Sequence, residues 1–176
     1  MNNFRENRES VDLGGKMKER VKSALEKLRD SKDLPRVVKI TPKLAKRWQA
    51  KVGDTMVIPA PIEVDEVMKM VPNGKLTTIN HIRERLAKKH QATICCPLTT
   101  GIFARIAAEA AEELRKEGKK NITPYWRTLK ADGEINPKYP GGLEYQKQLL
   151  LREGHRIIKK GKRFFVLNYE NSLAKL

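Results

Sequence analysis

Cysteine is nearly missing from this 176-residue chain: there are two, Cys95 and Cys96, side by side. Adjacent cysteines rarely staple a fold, so a disulfide framework is excluded and a reducing cytoplasm is the expected compartment, with the chromosome if the source is prokaryotic. Histidine is also scarce. His81, His90 and His155 are scattered and, with the two thiols, offer no zinc-ligand spacing, so neither a metal nor a cofactor is expected. No apolar run is long enough to span a bilayer, and the opening "MNNFRENRESVDLGGKMKER" lacks the apolar core of a secretion signal. No basic helix carries a strong apolar opposite face, so a membrane partner is not expected either. Internal repeats and a glycine-rich phosphate loop are both wanting.

What is abundant is positive charge. Lysine and arginine number 37 against 21 acidic residues, a net charge of +16 and a pI near 10. Residues 1–50 carry 14 basic and 7 acidic side chains, residues 71–130 carry 12 and 5, and residues 151–176 carry 7 and 2. The intervening segments are mildly acidic. An excess of this size draws polyanions, of which nucleic acid is the commonest, although a merely lysine-rich surface gives the same composition.

Apolar spacing then divides the chain. Residues 1–15 are polar and expected to be disordered. Met17, Val21, Ala24, Leu25 and Leu28 recur at helical spacing over residues 16–31. "LPRVVKI" and "GDTMVIPAP" are short extended pieces, and between them Thr41 caps a short helix that opens on Pro42. Ile62, Val64, Val67, Met68 and Val71 mark one helix, and Ile79, Ile82 and Leu86 the next, behind a capping threonine. The clearest helix follows Cys95 and Cys96. Thr99 or Thr100 is its expected cap, Ile102, Phe103, Ile106, Ala107, Ala110 and Leu114 its expected core face, and Gly118 its stop. "PYWRTLKADGEIN" alternates about Asp132-Gly133 as a small hairpin. A helix with Leu143, Leu149 and Leu150 inward and a second, basic-tipped hairpin, "RIIKKGKRFFVLNY", complete the chain. The expected fold is α+β and mostly helical: a disordered tail (1–15), a basic helical extension (16–60) and a winged helix-turn-helix domain (61–176), in which a helix enters a groove and a hairpin meets backbone.

Three segments in this order resemble a known family. "VPNGKLTTINHIRERLAKKH" is similar to the P-x-G-K-V-x-T-Y-G-x-I-A opening of the DNA-binding domain of alkylguanine-DNA alkyltransferases. "TPYWRTLKADGEI" resembles their I-P-C-H-R-V-V-x-x-x-G-x-I active-site loop, and "YPGGLEYQKQLLLREGHRI" their Y-x-G-G-L-x-x-K-x-x-L-L-x-x-E-G. The resemblance runs from about Glu63 to Ile157 and leaves residues 1–60 uncovered.

The departures matter most. Tyr125 stands where the family keeps its alkyl-accepting cysteine, and Trp126 where it keeps the histidine that activates the thiol. A phenol with a pKa near 10 is a poor nucleophile at neutral pH, whereas a thiol beside a base is a good one. Glu153 matches the glutamate that supports the relay, with no imidazole left to orient. The resemblance therefore implies a non-catalytic relative of the alkyltransferase-like kind, which binds alkylated guanine in double-stranded DNA and marks it for a downstream repair protein. By that analogy Tyr125, Trp126, Pro124 and Glu153 line a base pocket, the two rings serving as stacking faces; packing into the core is the competing role for both aromatics. Arg127 suits a phosphate or a loop-holding hydrogen bond.

Further DNA contacts are expected from Arg105, the candidate for replacing a flipped base, which serves equally as a phosphate-facing or solvent-facing arginine. Thr99 and Thr100, at a helix start, either bind phosphate or cap the helix. Lys75, Thr77 and Thr78 are expected backbone contacts, while Ile79 occupies the place of the family's tyrosine that aids flipping. Two rivals stand beside the damage-sensor reading: an alkyltransferase that uses Cys95 or Cys96, and a winged-helix protein that binds DNA without preference for lesions. Buried small hydrophobes are the usual role of such cysteines.

Overall fold

The computed structural model describes residues 20–48 and 50–176. The tail expected at 1–15 and the start of the helix expected at 16–31 lie outside the described residues. Ser23 sets where the first helix begins. Its hydroxyl accepts from the Glu26 N–H at 3.1 Å while the Glu26 carboxylate accepts the Ser23 N–H at 2.7 Å, a reciprocal cap. Helix α1 spans only Ala24–Arg29, and Val21 is 83% exposed ahead of it instead of facing the core. The Glu113 carboxylate takes the next two free N–H groups, of Ala24 at 2.8 Å and Leu25 at 3.0 Å, where negative charge suits the positive end of a helix.

The extension is not purely helical. Strand β1 (Arg36–Lys39) pairs antiparallel with β2 (Thr55–Ile58) around helix α2 (Pro42–Trp48). After helices α3 (Pro61–Lys69) and α4 (Ile79–Lys89), strand β4 (Ile94–Cys95) joins the far side of β2 in parallel. Period-two alternation gives this sheet two faces. Val38, Met56, Ile58 and Ile94 pack with Leu44, Ala45 and Trp48 of α2, while Val57 and Cys95 join the main core. Sequence reading found both extended pieces but not their pairing, because nothing local specifies a third strand only two residues long. The sheet crosses the 60/61 boundary drawn from sequence.

Helix α5 (Pro97–Lys116) is the central element, and α1, α3 and α4 all touch it. Its buried stripe is alanine: Ala104, Ala107, Ala108, Ala110 and Ala111 are each at most 1% exposed. Small side chains let neighbouring helices approach closely, so these alanines pack against helices and not against a groove. Ile102, expected inward, is 48% exposed, and Leu98 is 50% exposed. The helix also starts earlier than expected, at Pro97 behind Cys96.

Beyond α5 lies a single 3₁₀ turn, Tyr125–Arg127, then strand β5 (Thr128–Leu129), helix α6 (Gly142–Arg152) and the antiparallel strands β6 (Ile157–Lys160) and β7 (Arg163–Val166). The first expected hairpin does not form. Its turn is present, closed by the Gly133 N–H to the Lys130 carbonyl at 3.1 Å, but β5 pairs in parallel with β3 (Thr77–Thr78) and Glu134 bridges to Phe165. A second apolar cluster, Leu76, Leu129, Ile135, Leu150 and Val166, fills the space between these pieces. Among the described residues the fold is thus six helices with three small sheets, and no helix is long and apolar enough to cross a membrane.

Candidate nucleic-acid interface

The Pro-Tyr-Trp-Arg turn connects the two apolar clusters, and its residues part company there. Tyr125 is fully buried. Its hydroxyl donates to Glu112 Oε1 at 2.9 Å, and its ring meets Trp126 and Tyr139 edge-on, with centroids 5.5 and 5.6 Å away. Burial first, and then the hydrogen bond and the negative charge of Glu112, push its phenol far above the usual tyrosine range. This corrects the expectation of Tyr125 as a stacking face. A ring enclosed on every side offers no surface to a base, and a phenol held protonated offers no nucleophile.

Trp126 stays half-buried, and its indole N–H donates to Glu153 Oε1 at 2.8 Å. The same carboxylate receives Arg127 through Nε at 2.9 Å and Nη2 at 2.8 Å, while Arg127 Nη1 donates to the Val71 carbonyl at 2.7 Å. Burial alone would raise the Glu153 pKa, but the bonds from Arg127 and Trp126 outweigh it and hold the carboxyl below its ordinary value. Glu153 thus accepts from both an indole and a guanidinium. Arg127 is committed to the loop, with its side chain only 12% exposed; of its two expected roles, the hydrogen bonds seen are those of the loop-holding one.

Two clefts open near this turn. One, of about 720 Å³, is lined by Pro124, Trp126, Arg127 and Glu153 together with Lys69 and Lys120. Three of the four expected pocket residues meet here, without Tyr125. The other, of about 450 Å³, lies between the N-terminal half of α5 and the segment from Leu129 to Tyr139; Ile79, Ile102, Arg105, Leu129, Lys130 and Tyr139 line it. Tyr139 is nearly buried and stands between this cleft and the Tyr125 ring. Arg105 is exposed, paired along the helix with Glu109 at 2.7 Å.

The remaining expected contacts divide by burial. Lys75 is exposed. Thr77 and Thr78 are 0% and 2% exposed; Thr77 sits in β3, and Thr78 caps α4 by accepting the His81 N–H at 3.3 Å. Thr100 is fully buried and donates to the Cys96 carbonyl at 2.7 Å. The Thr99 hydroxyl is enclosed within the first turn of α5, with no partner among the described residues. Thr77, Thr78 and Thr100 are turned inward, where they serve a strand, a helix cap and the first turn of α5.

Sequence reading missed Tyr139 as a cleft wall, although it opens the quoted "YPGG" segment, and missed Glu112. The signal for Glu112 was a lone acid at i+4 from Ala108, on the alanine stripe. Cys95 and Cys96 are 1% and 6% exposed. Burial pushes the Cys95 thiol up to about 11, which leaves it protonated and inert at neutral pH. Among the described residues no group of three His, Cys, Asp or Glu side chains is gathered to hold a metal ion.

No protein-family model matches the chain, and no curated protein matches it. Among solved structures, S. pombe Atl1 in complex with damaged DNA containing O6-carboxymethylguanine is similar at 20% identity, over 66% of this chain and 94% of that one, with a TM-score of 0.47. S. pombe ATL in complex with DNA is similar over the same shares at 20% identity, with a TM-score of 0.45.

Proposed function

We propose that this protein binds double-stranded DNA without chemistry, through α4, α5 and the β6–β7 hairpin acting as a winged helix-turn-helix, and receives a modified base in the cleft beside α5. The observation that carries this reading is the sealing of the acceptor position next to an open cleft. Tyr125 is locked to Glu112 behind Tyr139, while the neighbouring cleft has apolar walls and a cationic rim in Arg105 and Lys130. At about 450 Å³ it falls within the roughly 300–1,000 Å³ of small-molecule sites. A base turned out of the stack needs partly apolar walls; Ile79 and Ile102 supply the accessible apolar surface, and the nearly buried Leu129 and Tyr139 close the floor behind them. Arg105 enters the space the base leaves. The base pocket is thereby moved from the Tyr125–Trp126 faces, where the sequence put it, to the other side of Tyr139.

The test is binding to matched duplexes with and without O6-alkylguanine, using the full chain and Arg105→Ala. The expected result is tighter binding of the alkylated duplex, discrimination reduced in Arg105→Ala, and no alkyl mass added to the protein after incubation. Equal affinity of the full chain for both duplexes would overturn the damage reading and leave a winged-helix protein of general DNA affinity, the reading that the net charge of +16 favours by itself. Transfer of the alkyl group to Cys95 or Cys96 would overturn the absence of chemistry.

A further inference from the structure

Between Leu34 and Gly53 the chain carries six basic residues, Arg36, Lys39, Lys43, Lys46, Arg47 and Lys51, and no acidic one. All six are exposed. Helix α2 sorts them: Leu44, Ala45 and Trp48 turn inward onto the sheet, so Lys43, Lys46 and Arg47, at i, i+3 and i+4, share the opposite face. Lys51 lies in the turn that follows. The flanking acids do not neutralise this face. Asp33 pairs with Arg36 at 2.8 Å, and Asp54 accepts the backbone N–H of Lys51 at 3.2 Å. Lys43, Lys46 and Lys51 form no ion pair within the described residues, and Arg47 lies over the Trp48 ring at 4.7 Å.

The fold brings this face to the start of α5. Strand β2 pairs with β4, the Cys96 N–H donates to the Val57 carbonyl at 2.9 Å, and Cys96 shares a core with Ile40 and Ala45. Cys96 is the residue from which α5 begins, and Leu98, Ile102 and Arg105 follow within its first turns. We infer that the α2 face is a second DNA-backbone-binding surface, which grips phosphates of the duplex flanking the site that α5 addresses. The inference rests on the duplex-binding reading above and assigns residues 36–51 a role in affinity, not in lesion choice. A row of unpaired cations on a rigid helix matches the uniform negative charge of duplex DNA, and each phosphate neutralised there releases counterions and steepens the salt dependence of binding.

The experiment compares three full-length proteins on plain and alkylated duplexes across a salt series: the natural chain, the triple variant Lys43→Gln, Lys46→Gln, Lys51→Gln, and a charge-matched control, Lys27→Gln, Lys116→Gln, Lys119→Gln, whose Lys27 lies on α1 against the far half of α5. The control lysines are exposed near the other end of the 20-residue α5, about 30 Å away at 1.5 Å per residue. The α2 variant should lose roughly tenfold or more in affinity near physiological salt, with the log–log salt slope shallower by about 2–3, equally for both duplexes, while the control changes little. An unaltered slope and affinity in the α2 variant, or equal losses in the two variants, would overturn the proposal and leave the α5 cleft reading standing. Failure of the natural chain to bind any duplex would overturn both. An effect seen only with single-stranded RNA would overturn the assignment to DNA. Circular dichroism and the thermal midpoint establish that each variant is folded.

Discussion

Tyr125→Phe removes one oxygen atom and keeps the ring, so it separates two roles that the sequence could not. In the structure the phenol is fully buried and its hydroxyl meets Glu112 Oε1 at 2.9 Å. Glu112 is itself 8% exposed, and its other oxygen is held by Arg115 at 2.7 Å. Loss of the hydroxyl therefore strands one carboxylate oxygen inside the protein. A hydrogen bond to a charged group contributes about 1.5–3 kcal/mol, so the variant should be about 2 kcal/mol less stable at pH 7, a fall of roughly 4–8 °C in thermal midpoint for a chain of this size.

The pH dependence sharpens the test. The Tyr125 phenol is held above its ordinary value by burial and by Glu112, so the folded pKa exceeds the unfolded one near 10. A raised pKa contributes stability that is fully present below about pH 10 and erodes as pH rises above it, at 1.36 kcal/mol per unit. Phenylalanine has no proton to lose. Urea unfolding at pH 7, 10 and 11 should show the gap between natural chain and variant narrowing by about 1 kcal/mol over the last step. DNA affinity should be unchanged, because the ring does not line the cleft. A variant as stable as the natural chain at pH 7, with parallel pH curves, would refute the buried Tyr125–Glu112 bond. A variant that lost base discrimination would refute the placement of the cleft.

Three further outcomes are expected. Glu153→Gln deprives the nearly buried Arg127 of its partner and should cost about 3 kcal/mol; since the Glu153 pKa is depressed, its contribution is present above about pH 4.5 and lost as pH falls further, so acid titration of the midpoint should be flatter in the variant, and identical acid limbs would count against the network. Gly133→Ala should destabilise by about 2 kcal/mol, because φ is +80° and an added Cβ would lie 2.3 Å from the Tyr169 ring; Tyr169→Ala in the same chain should recover the steric part only, and full stability in the single variant would refute the contact. Both thiols should resist a disulfide reagent at pH 7.5 in the folded chain and react in urea, whereas one fast thiol would contradict the burial of Cys95 and Cys96.

How much of this was legible follows the range of the signal. Thr41-Pro42, Thr78 and Gly118 announced helix ends through local chemistry, and helices stand there. The helical face of Val64, Val67 and Met68 was equally plain, and all three are buried. The three-stranded sheet was not legible, since β4 contributes two residues and is selected by Val57 and Cys95 meeting the core from residues far apart in sequence. The expected hairpin at Asp132-Gly133 failed for a related reason. Its turn chemistry was right, but β3 and β7 offered the flanking residues other partners. At the candidate site, residue types were legible and orientation was not. Arg105 reaches a cleft, while Tyr125, Thr77, Thr78 and Thr100 are inside, where polar side chains serve hydrogen bonds of the fold.

Tyr125 and Trp126 are also coupled to the fold in a way that residue types alone do not reveal. A cysteine at position 125 would leave the phenol's volume empty and the Glu112 oxygen without its donor, and an imidazole at 126 would have to replace an indole that packs against both apolar clusters. Tyr125 with Glu112, and Trp126 with Arg127 and Glu153, are each a satisfied set: loss of the phenol leaves a Glu112 oxygen without its donor, and loss of Glu153 leaves Arg127 unpaired. At this turn the side chains are committed to holding the fold. Beside the turn, the adjoining face of α5 is open, with Leu98 and Ile102 exposed and Arg105 reaching solvent beside the cleft. Exposed apolar groups next to a cation are what the proposed duplex contact needs, and on that reading recognition falls to the helix and rigidity to the turn.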